Sequence, residues 1–247
     1  MTLHERLSKQ LTRAMALYQL IAADDRILIA LSGGKDSLCL LQLLAERARI
    51  AHPRFSLVAV HVRMTNVHYE TSTAYLEQFC ERFGVPLHVV TTGFEIGGDS
   101  CKTGRDLRRQ KSPCFLCSWN RRKQLFNLAQ ELGCNKIALG HHQDDIIHTA
   151  FMNLTFQGRF GTMPALLKMR KMPISIIRPL CMIAENDIRQ FADEEQYERQ
   201  QKSCPYEHES QRTHITQLFN LASQLNPDAR QSIWNALDGD GKLIEEY

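Results

Sequence analysis

Hydrophobic positions along the chain switch between two spacings. Short continuous apolar runs, which are typical of buried parallel strands, precede stretches whose apolar residues recur at helical spacing. The runs at 27–31, 55–62, 87–92, from 135 and at 174–178 are the predicted strands. Strands and helices alternate in this order, so the pattern predicts an α/β fold. We expect a doubly wound, mostly parallel sheet with a helical C-terminal tail.

The helical spacing sets the predicted helices and the domain plan. Helices are predicted at 3–23, 71–83, about 118–132, 146–154 and 184–196, with a tail helix at 213–236 broken near 226. Residues 93–113 have several glycines and no periodicity, which indicates a long loop, and 164–173 is expected to be irregular. We expect one main domain over residues 1–200 and a C-terminal helical segment over 201–247.

Composition and charge indicate a candidate function for only one short segment of the chain. The 247 residues carry a net charge of +3, which says little about partners. Eight basic residues and one acid lie between 102 and 123, either as a solvated face or as a surface for RNA phosphates. No apolar run of eighteen residues exists, and the first residues lack the apolar core of a signal peptide. We therefore expect a cytoplasmic protein with no membrane contact.

A glycine turn joins the first predicted strand to the helix that follows it. Residues 31–37 read Leu-Ser-Gly-Gly-Lys-Asp-Ser. Free N–H groups and the positive dipole end of a helix bind phosphate in such a turn, although a plain turn between core elements is the alternative. The P-loop of kinases is excluded, because it needs four residues between its first Gly and Gly-Lys-Ser/Thr. The turn predicts a nucleotide site of another type.

This turn resembles the PP-loop of the ATP pyrophosphatase superfamily, whose members have an adenine nucleotide alpha hydrolase-like fold. Such proteins typically activate a carbonyl oxygen with AMP and release pyrophosphate. The resemblance implies an ATP site at the residues of the turn. These are Ser32, Gly33, Gly34, Lys35, Asp36 and Ser37.

Cysteine spacing points to a second chemical centre. Cys114 and Cys117 form a C-x-x-C pair, which alone fits a redox couple, half a zinc site or part of an iron–sulfur site. Cys204 stands in a similar proline-flanked context and supplies a third thiolate. Three cysteines without an obvious fourth favour a 4Fe-4S cluster with one iron left open. Zinc completed by His208 or Cys101, and free thiols, are the alternatives.

The remaining cysteines have simpler interpretations. Four of them lie within apolar or helical patterns and are expected to be small buried residues. They are Cys39, Cys80, Cys134 and Cys181. Cys101 is interpreted as a loop residue.

Taken together, five motifs in family order resemble the tRNA 2-thiocytidine biosynthesis family. The motifs are Ser-Gly-Gly-Lys-Asp-Ser at 32–37, Cys-Phe-Leu-Cys at 114–117 with Asn-Arg-Arg at 120–122, Leu-Gly-His-His-Gln-Asp-Asp at 139–145, Ile-Arg-Pro-Leu at 177–180 and Cys204. Members insert sulfur at C2 of cytidine 32 in the tRNA anticodon loop, using ATP, Mg²⁺ and an iron–sulfur cluster. The resemblance implies that Cys114, Cys117 and Cys204 hold this 4Fe-4S cluster.

The second motif repeats the layout of strand, loop and helix, and it reaches the same crevice as the PP-loop if both strands are central. By the resemblance, Asp144 contacts ATP or Mg²⁺, and Gly140 and His141 line the nucleotide. Asp36 and Asp144 are then the candidate catalytic residues. Asp145 is expected to cap the next helix or position the loop. The strand end at His61 is expected near adenine.

The resemblance also implies a mechanism and partners. We expect the cytidine O2 to attack the α-phosphate of ATP, and sulfur then to replace AMP at C2. The expected partners are tRNA and a sulfur donor such as a cysteine desulfurase, and a homodimer is allowed for. The tRNA phosphates are expected at Arg108, Arg109, Lys111, Arg121, Arg122 and Lys123. A PP-loop ligase with another acceptor and a non-catalytic iron–sulfur RNA-binding module are the alternatives.

Overall fold

A computed structural model provides the fold of the chain. It describes residues 1–50, 52–70, 72–94, 112–198, 200–203 and 211–247. The helices of the described part are α1 (Leu3–Leu17), α2 (Lys35–Ala48), α3 (Ala74–Phe83), α4 (Pro113–Glu131), α5 (Gln143–Gln157), α6 (Glu185–Glu194), α7 (Gln211–Leu225) and α8 (Ala229–Gly239). Its strands are β1 (Asp25–Ala30), β2 (Phe55–Met64), β3 (His68–Tyr69), β4 (Leu87–Thr92), β5 (Lys136–Ala138), β6 (Leu166–Lys168), β7 (Ser175–Ile177), β8 (Lys202–Ser203) and β9 (Ile244–Glu246).

Within the described residues, seven strands form the main sheet in the order β4-β2-β1-β5-β7-β6-β9. Neighbouring strands run parallel, except that β6 is antiparallel to β7. The chain builds outward from β1 through β2 to β4 and then returns to place β5 on the other side of β1. This reversal makes a crevice at the carboxyl ends of β1 and β5. The predicted doubly wound, mostly parallel sheet is confirmed.

Two hydrophobic clusters cover the two faces of the sheet. In β1, Ile27 and Ile29 belong to one cluster and Leu28 belongs to the other, because successive side chains of a strand point to opposite faces. α2 packs among the sheet, α1, α3 and α6, so nine of its residues are buried. This burial fixes the start of α2 rigidly beside the end of β1.

Helix α4 begins at Pro113, five residues earlier than the predicted start near 118. The Ser112 hydroxyl accepts a hydrogen bond from the backbone N–H of Phe115, and proline occupies the first turn. Both are favourable at a helix start, because the serine satisfies a free N–H group and proline has none to leave unsatisfied. The C-x-x-C pair therefore lies within the first turns of a helix and not in a preceding loop.

Other boundaries also differ from prediction. α1 ends at Leu17 instead of 23, and the stretch expected to be irregular contains β6. β9 follows the strand at 175–177 that was expected to be the last, and it pairs with β6. These strands have three residues each, which is too short for a periodic signal.

The C-terminal tail is helical and broken near 226, as predicted, and it packs on the main core. Phe219 of α7, and Trp234 and Leu237 of α8, belong to the larger hydrophobic cluster. The boundary at residue 200 stays a prediction. Among the described residues, no helix has the length and apolar character needed to cross a membrane.

Candidate active site

The PP-loop turns tightly from β1 into α2. Gly33 has φ of +82°, a left-handed conformation that glycine adopts without strain. Gly34 is the N-cap of α2. Because it has no side chain, it forms no side-chain hydrogen bond to the first backbone N–H groups of the helix. The hydroxyl of Ser37 lies 3.1 Å from that of Ser32 and accepts a hydrogen bond from the Ser32 backbone N–H. The loop is thereby held closed from within, and the first N–H groups of α2 face the crevice, where they can bind phosphate.

The second motif lies against the PP-loop. A Cβ atom placed on Gly140 would lie 3.1 Å from the backbone oxygen of Asp36 and 3.2 Å from the backbone nitrogen of Ser37. A side chain at this position would press on that backbone. The two loops predicted to share one crevice are therefore in contact.

A buried arginine fixes the histidine of the second motif. Arg178 follows β7, and its Nε donates to Nδ1 of His141 over 3.1 Å. Its Nη1 donates a hydrogen bond to the carbonyl oxygen of Pro164. Burial, with a smaller contribution from the charge of Arg122, lowers the pKa of Arg178 to about 10, so it stays charged at neutral pH. The Ile-Arg-Pro-Leu motif thus supports the site through His141.

Charged groups beside the PP-loop are paired. The Lys35 ammonium lies 3.0 Å from a carboxylate oxygen of Asp36 and 3.1 Å from one of Glu185. Burial alone would lower the pKa of Lys35, but these carboxylates outweigh burial and raise it. Lys35 therefore stays charged and connects the start of α2 with the start of α6.

Asp144, a predicted ligand of ATP or Mg²⁺, is buried and holds three helices together. Its Oδ1 accepts from Arg230 of α8 over 2.6 Å, and its Oδ2 accepts from the backbone N–H of Glu185 over 2.7 Å. Burial would raise the pKa of Asp144, but these hydrogen bonds outweigh it and lower the pKa. The carboxylate is ionised at neutral pH and has a structural partner at each oxygen.

Asp145 has the expected capping role. It forms a capping box with His142 at the start of α5, in which each side chain binds the backbone N–H of the other residue. His142 is buried, and its Nε2 lies 3.9 Å from Oδ1 of Asp36. This histidine therefore stands between the acidic groups of the two loops.

An open pocket adjoins the PP-loop at the ends of β1 and β2. Its lining is mostly apolar, with a few polar groups, as in small-molecule and cofactor sites generally. His61 lies in this lining, at the predicted strand end, and its Nδ1 is 2.7 Å from the Leu31 carbonyl. The lining residues are Ala30, Leu31, Ser32, Val60, His61, Val62, Tyr69, Arg121 and Leu125.

Helix α4 connects this pocket with the cysteine pair. Cys114, Cys117, Arg121 and Leu125 follow one another at steps of three, four and four residues, so they lie along one stripe of the helix. Arg121 and Leu125 line the pocket. At about 1.5 Å of rise per residue, Cys117 lies roughly 6 Å along the helix from Arg121. The thiols and the nucleotide pocket are thus neighbouring parts of one site.

The three predicted RNA-binding residues of α4 differ in exposure. Arg122 and Lys123 are exposed, whereas Arg121 is half-buried in the pocket with its Nη2 3.5 Å from the hydroxyl of Tyr69. The remaining predicted RNA-binding residues lie outside the described residues. They are Arg108, Arg109 and Lys111.

The cysteines divide into two classes. Four are buried in the hydrophobic clusters, as expected, and burial raises the pKa of these thiols, to about 12 at Cys80 and Cys181. The other two of this class are Cys39 and Cys134. By contrast, Cys114 is exposed and Cys117 is half-buried. A high pKa and burial make a thiol inert, so of these six cysteines only Cys114 and Cys117 are accessible to a ligand.

The third predicted thiol, Cys204, lies outside the described residues, as do Cys101 and His208. The described part of the chain contains no group of three His, Cys, Asp or Glu residues arranged for a metal ion. Two accessible cysteines in a C-x-x-C spacing at the start of a helix still suit an iron–sulfur cluster, because cysteine sulfurs are the ligands of such clusters. The described residues thus supply two of the three ligands that such a cluster would need here.

A short segment before Cys204 crosses the PP-loop. The backbone N–H of Gln200 donates to the Gly33 carbonyl over 3.0 Å, and its side chain lies so close that a Cβ on Gly33 would be 2.7 Å from its Cβ. β8 then pairs with β3. Gln200 and Arg230 were not predicted as site residues, because no local motif marks them. Their positions result from pairing over long distances in sequence.

A comparison with protein families agrees with this geometry. Residues 3–220 match the family described as a PP-loop domain. A curated relative, the tRNA-cytidine(32) 2-sulfurtransferase of Sorangium cellulosum, is 34% identical over 247 residues, covering 96% of this chain and 82% of that protein. The chain belongs to the tRNA-cytidine(32) 2-sulfurtransferase family. The predicted family, and the prediction of an enzyme of this family, are confirmed.

The chain is also similar to a second curated relative and, in its fold, to a solved structure. The tRNA-cytidine(32) 2-sulfurtransferase of Bordetella avium is 38% identical over 196 residues, which cover 79% of this chain and 60% of that protein. Among solved structures, the U34-tRNA thiolase NcsA from Methanococcus maripaludis with its [4Fe-4S] cluster has a TM-score of 0.73 at 24% identity. That match covers 96% of this chain and 78% of the other. At this identity the likeness concerns the fold.

Proposed function

We propose that this chain is an ATP-dependent tRNA sulfurtransferase that replaces the O2 atom of cytidine 32 in the anticodon loop with sulfur. The observation that carries the proposal is the stripe on α4, which runs from Cys114 and Cys117 to Arg121 in the nucleotide pocket. One helix therefore carries two of the proposed cluster thiols together with a side chain that lines the pocket proposed for the nucleotide. Family membership supports the same activity and substrate.

The first step activates the base. The adenosine of ATP occupies the pocket beside β1 and β2, and its phosphates lie against the N–H groups at the start of α2. Asp36 is the proposed ligand of Mg²⁺, and Arg121 faces the α-phosphate. The O2 of cytidine attacks the α-phosphorus, and the bond to the bridging oxygen breaks so that pyrophosphate leaves. Fixed N–H groups stabilise the charge that builds on the phosphate oxygens.

The second step exchanges oxygen for sulfur. Sulfide attacks C2 of the adenylated base, the C2–O2 bond breaks, AMP leaves with that oxygen, and a proton is released. Cys114, Cys117 and Cys204 are the proposed ligands of a 4Fe-4S cluster, which when bound has one iron free to carry sulfur. The chain's own contribution is geometric, because α4 presents the thiols along the same stripe as Arg121, which lines the pocket.

Asp144 stays a candidate for nucleotide or Mg²⁺ contact, together with Gly140 and His141. Its bonds to Arg230 and Glu185 support a positioning role, in which it holds α5, α6 and α8 around the PP-loop. The carboxylate of Asp36, at the start of α2, is the better placed of the two predicted catalytic acids for Mg²⁺.

We further propose the surroundings in which this reaction occurs. tRNA binds across α4 through Arg122 and Lys123, and Arg108, Arg109 and Lys111 extend this contact. A cysteine desulfurase or another donor supplies the sulfur. We propose a cytoplasmic location and a homodimer from the sequence and from the family resemblance.

The test of the activity is reconstitution. Purified protein carrying its iron and sulfide is incubated with ATP, Mg²⁺, sulfide and a tRNA transcript bearing cytidine at position 32. We expect one pyrophosphate released for each 2-thiocytidine formed. A transcript with uridine at position 32 is the matched control and should yield neither product. Pyrophosphate release with a small-molecule acceptor, and none with tRNA, would contradict the proposal and favour a ligase.

A further inference from the structure

Two aromatic side chains are exposed on the outer face of α4. The exposed fraction is 46% for Phe115 and 50% for Trp119, one turn apart at i and i+4. Trp119 belongs to neither hydrophobic cluster of the described residues, whereas the chain's other tryptophan, Trp234, is buried in one of them. Core packing therefore explains Trp234 and does not explain Trp119.

The cations around Trp119 suit a nucleic acid. The Lys123 ammonium lies 5.5 Å from the centre of the Trp119 ring, and Arg122 is exposed on the neighbouring turn. The sequence from 113 to 130 contains no acidic residue. An aromatic face flanked by cations and free of acids is complementary to a base with its adjoining phosphates.

The location of this face connects it with the reaction. Cys114 and Cys117 lie in the same first turns of α4 as Phe115, and Trp119 is only two residues beyond Cys117. A base stacked on the outer face would therefore lie within a few turns of both the thiols and the nucleotide pocket. Bases inside a duplex are not accessible to such a surface, whereas unpaired loop bases are.

We infer that Trp119, supported by Phe115, is a stacking site for an unpaired base of the tRNA anticodon loop, with Arg122 and Lys123 binding the phosphates beside that base. The inference rests on the proposed function and adds a binding subsite to it. Stacking on an aromatic ring is tolerant of base identity, so this site positions the loop and does not select the sequence.

The experiment measures binding of two RNA probes to the holoprotein. One probe is a hairpin carrying the anticodon loop with cytidine 32, and the other is a fully paired duplex of the same length. The variants are Trp119→Ala, Trp119→Phe and, as a matched exposed aromatic on another helix, Phe156→Ala. Dissociation constants are determined at several salt concentrations, and tryptophan emission is recorded, with buried Trp234 as the internal reference.

We expect Trp119→Ala to weaken hairpin binding roughly 5- to 150-fold, the range that corresponds to one stacked base, while the salt dependence keeps its slope. Trp119→Phe should stay within about threefold of wild type because it keeps a ring. Phe156→Ala and the duplex affinity should be unchanged. The hairpin should quench tryptophan emission in wild type but not in Trp119→Phe.

Equal hairpin affinity for wild type and Trp119→Ala would overturn the inference, as would equal losses for hairpin and duplex. A loss accompanied by a smaller salt slope would also overturn it, because Trp119 would then act through the cations. A failure of the proposed function would give a different result in the thiolation assay. Wild-type protein would then form no 2-thiocytidine, whatever Trp119→Ala does to hairpin binding.

Discussion

At the nucleotide end of the site, polar side chains are buried and held by other groups, whereas the thiol end stands at an accessible helix start. Asp144 has a partner at each carboxylate oxygen, and Lys35 pairs with two carboxylates. Cys114, in contrast, is exposed. In the first region, Asp144 and Lys35 are therefore already bonded to other groups of the protein. For the second, the proposed third ligand is Cys204, which is distant in sequence.

The difference follows from the chemistry assigned to each end. Phosphate binding depends on N–H groups already fixed in place, since mobile dipoles would lose energy in reorienting. Sulfur delivery needs thiolates that a cluster and a sulfur donor can reach. Although α4 connects the two ends, the thiols begin α4 and the phosphate-binding N–H groups begin α2, so changes at one end should leave the other largely intact.

Replacing a thiol should separate the two ends most clearly. We expect Cys114→Ala to reduce 2-thiocytidine formation by at least roughly 100-fold, because loss of a cluster ligand exceeds the effect of losing a supporting group. The dissociation constant for ATP should stay within about twofold, since the PP-loop is untouched. Ser118→Ala, on the neighbouring exposed turn, is the control and should retain thiolation. A variant of Cys114 that still thiolates tRNA would disprove its role as a ligand.

Removing Arg230 should test the buried pair of the nucleotide end. Arg230→Ala leaves the carboxylate of Asp144 buried without its cation, and we expect unfolding free energy to fall by about 2 kcal/mol, a value reduced for the partial exposure of Arg230. Denaturant unfolding measures this loss. Lys242→Ala removes a cation of similar exposure whose partner, Asp240, is exposed and not buried, and it should cost far less.

The same variant gives a pH dependence. The pKa of Asp144 is lowered in the folded protein, so its stabilising contribution is present above the unfolded value of about 3.9 and is lost as the pH falls through the folded value. The stability difference between wild type and Arg230→Ala should therefore be constant near neutral pH and narrow below about pH 4. A difference that widens on acidification would contradict the assigned charge state.

A methyl group on Gly140 should disturb the nucleotide end alone. Gly140→Ala presses on the backbone of Asp36 and Ser37, and we expect ATP affinity to fall roughly tenfold, equivalent to about 1.4 kcal/mol of strain. Alkylation of Cys114 should proceed at the wild-type rate. Gly239→Ala is the control, because a Cβ there meets nothing within 4 Å. Unchanged ATP affinity in Gly140→Ala would show that the loops separate easily.

Adjacent arginines of α4 should give opposite, smaller effects. Arg121→Ala should weaken ATP binding several-fold, because this side chain lines the pocket, and leave the salt slope of tRNA binding unchanged. Arg122→Ala should lower that slope by about one and leave ATP binding unchanged. Isothermal titration and salt-dependent filter binding distinguish the two. Identical profiles would contradict the division of α4 into two faces.

Sequence reasoning succeeded where a short segment carries its own structure. The PP-loop lies between an apolar strand and a helix, and both boundaries are visible as periodicity. The crevice followed from alternating strands and helices, because parallel strands in such a fold bring their loops to one edge. The start of α4 was predicted near 118 and lies at Pro113, although Ser112 and Pro113 are residues that favour a helix start.

Other parts of the site depend on contacts that no local pattern announces. Arg230 reaches Asp144 across 86 residues of sequence, and Gln200 reaches Gly33 only because β8 pairs with β3. The division of Arg121 from Arg122 was visible in principle, since residues three and four apart share a helix face. To predict this division, the helix has to be started at Pro113, because only then do the cysteines lie on the same face as Arg121.

The most direct test of the central claim is nucleoside mass spectrometry of tRNA from source cells that carry the wild-type gene, no gene, or the Cys114→Ala gene. The account predicts 2-thiocytidine only with the wild-type gene, with every other modified nucleoside unchanged. A nucleoside profile that is identical in all three strains would contradict it and would favour a different acceptor or a non-catalytic role.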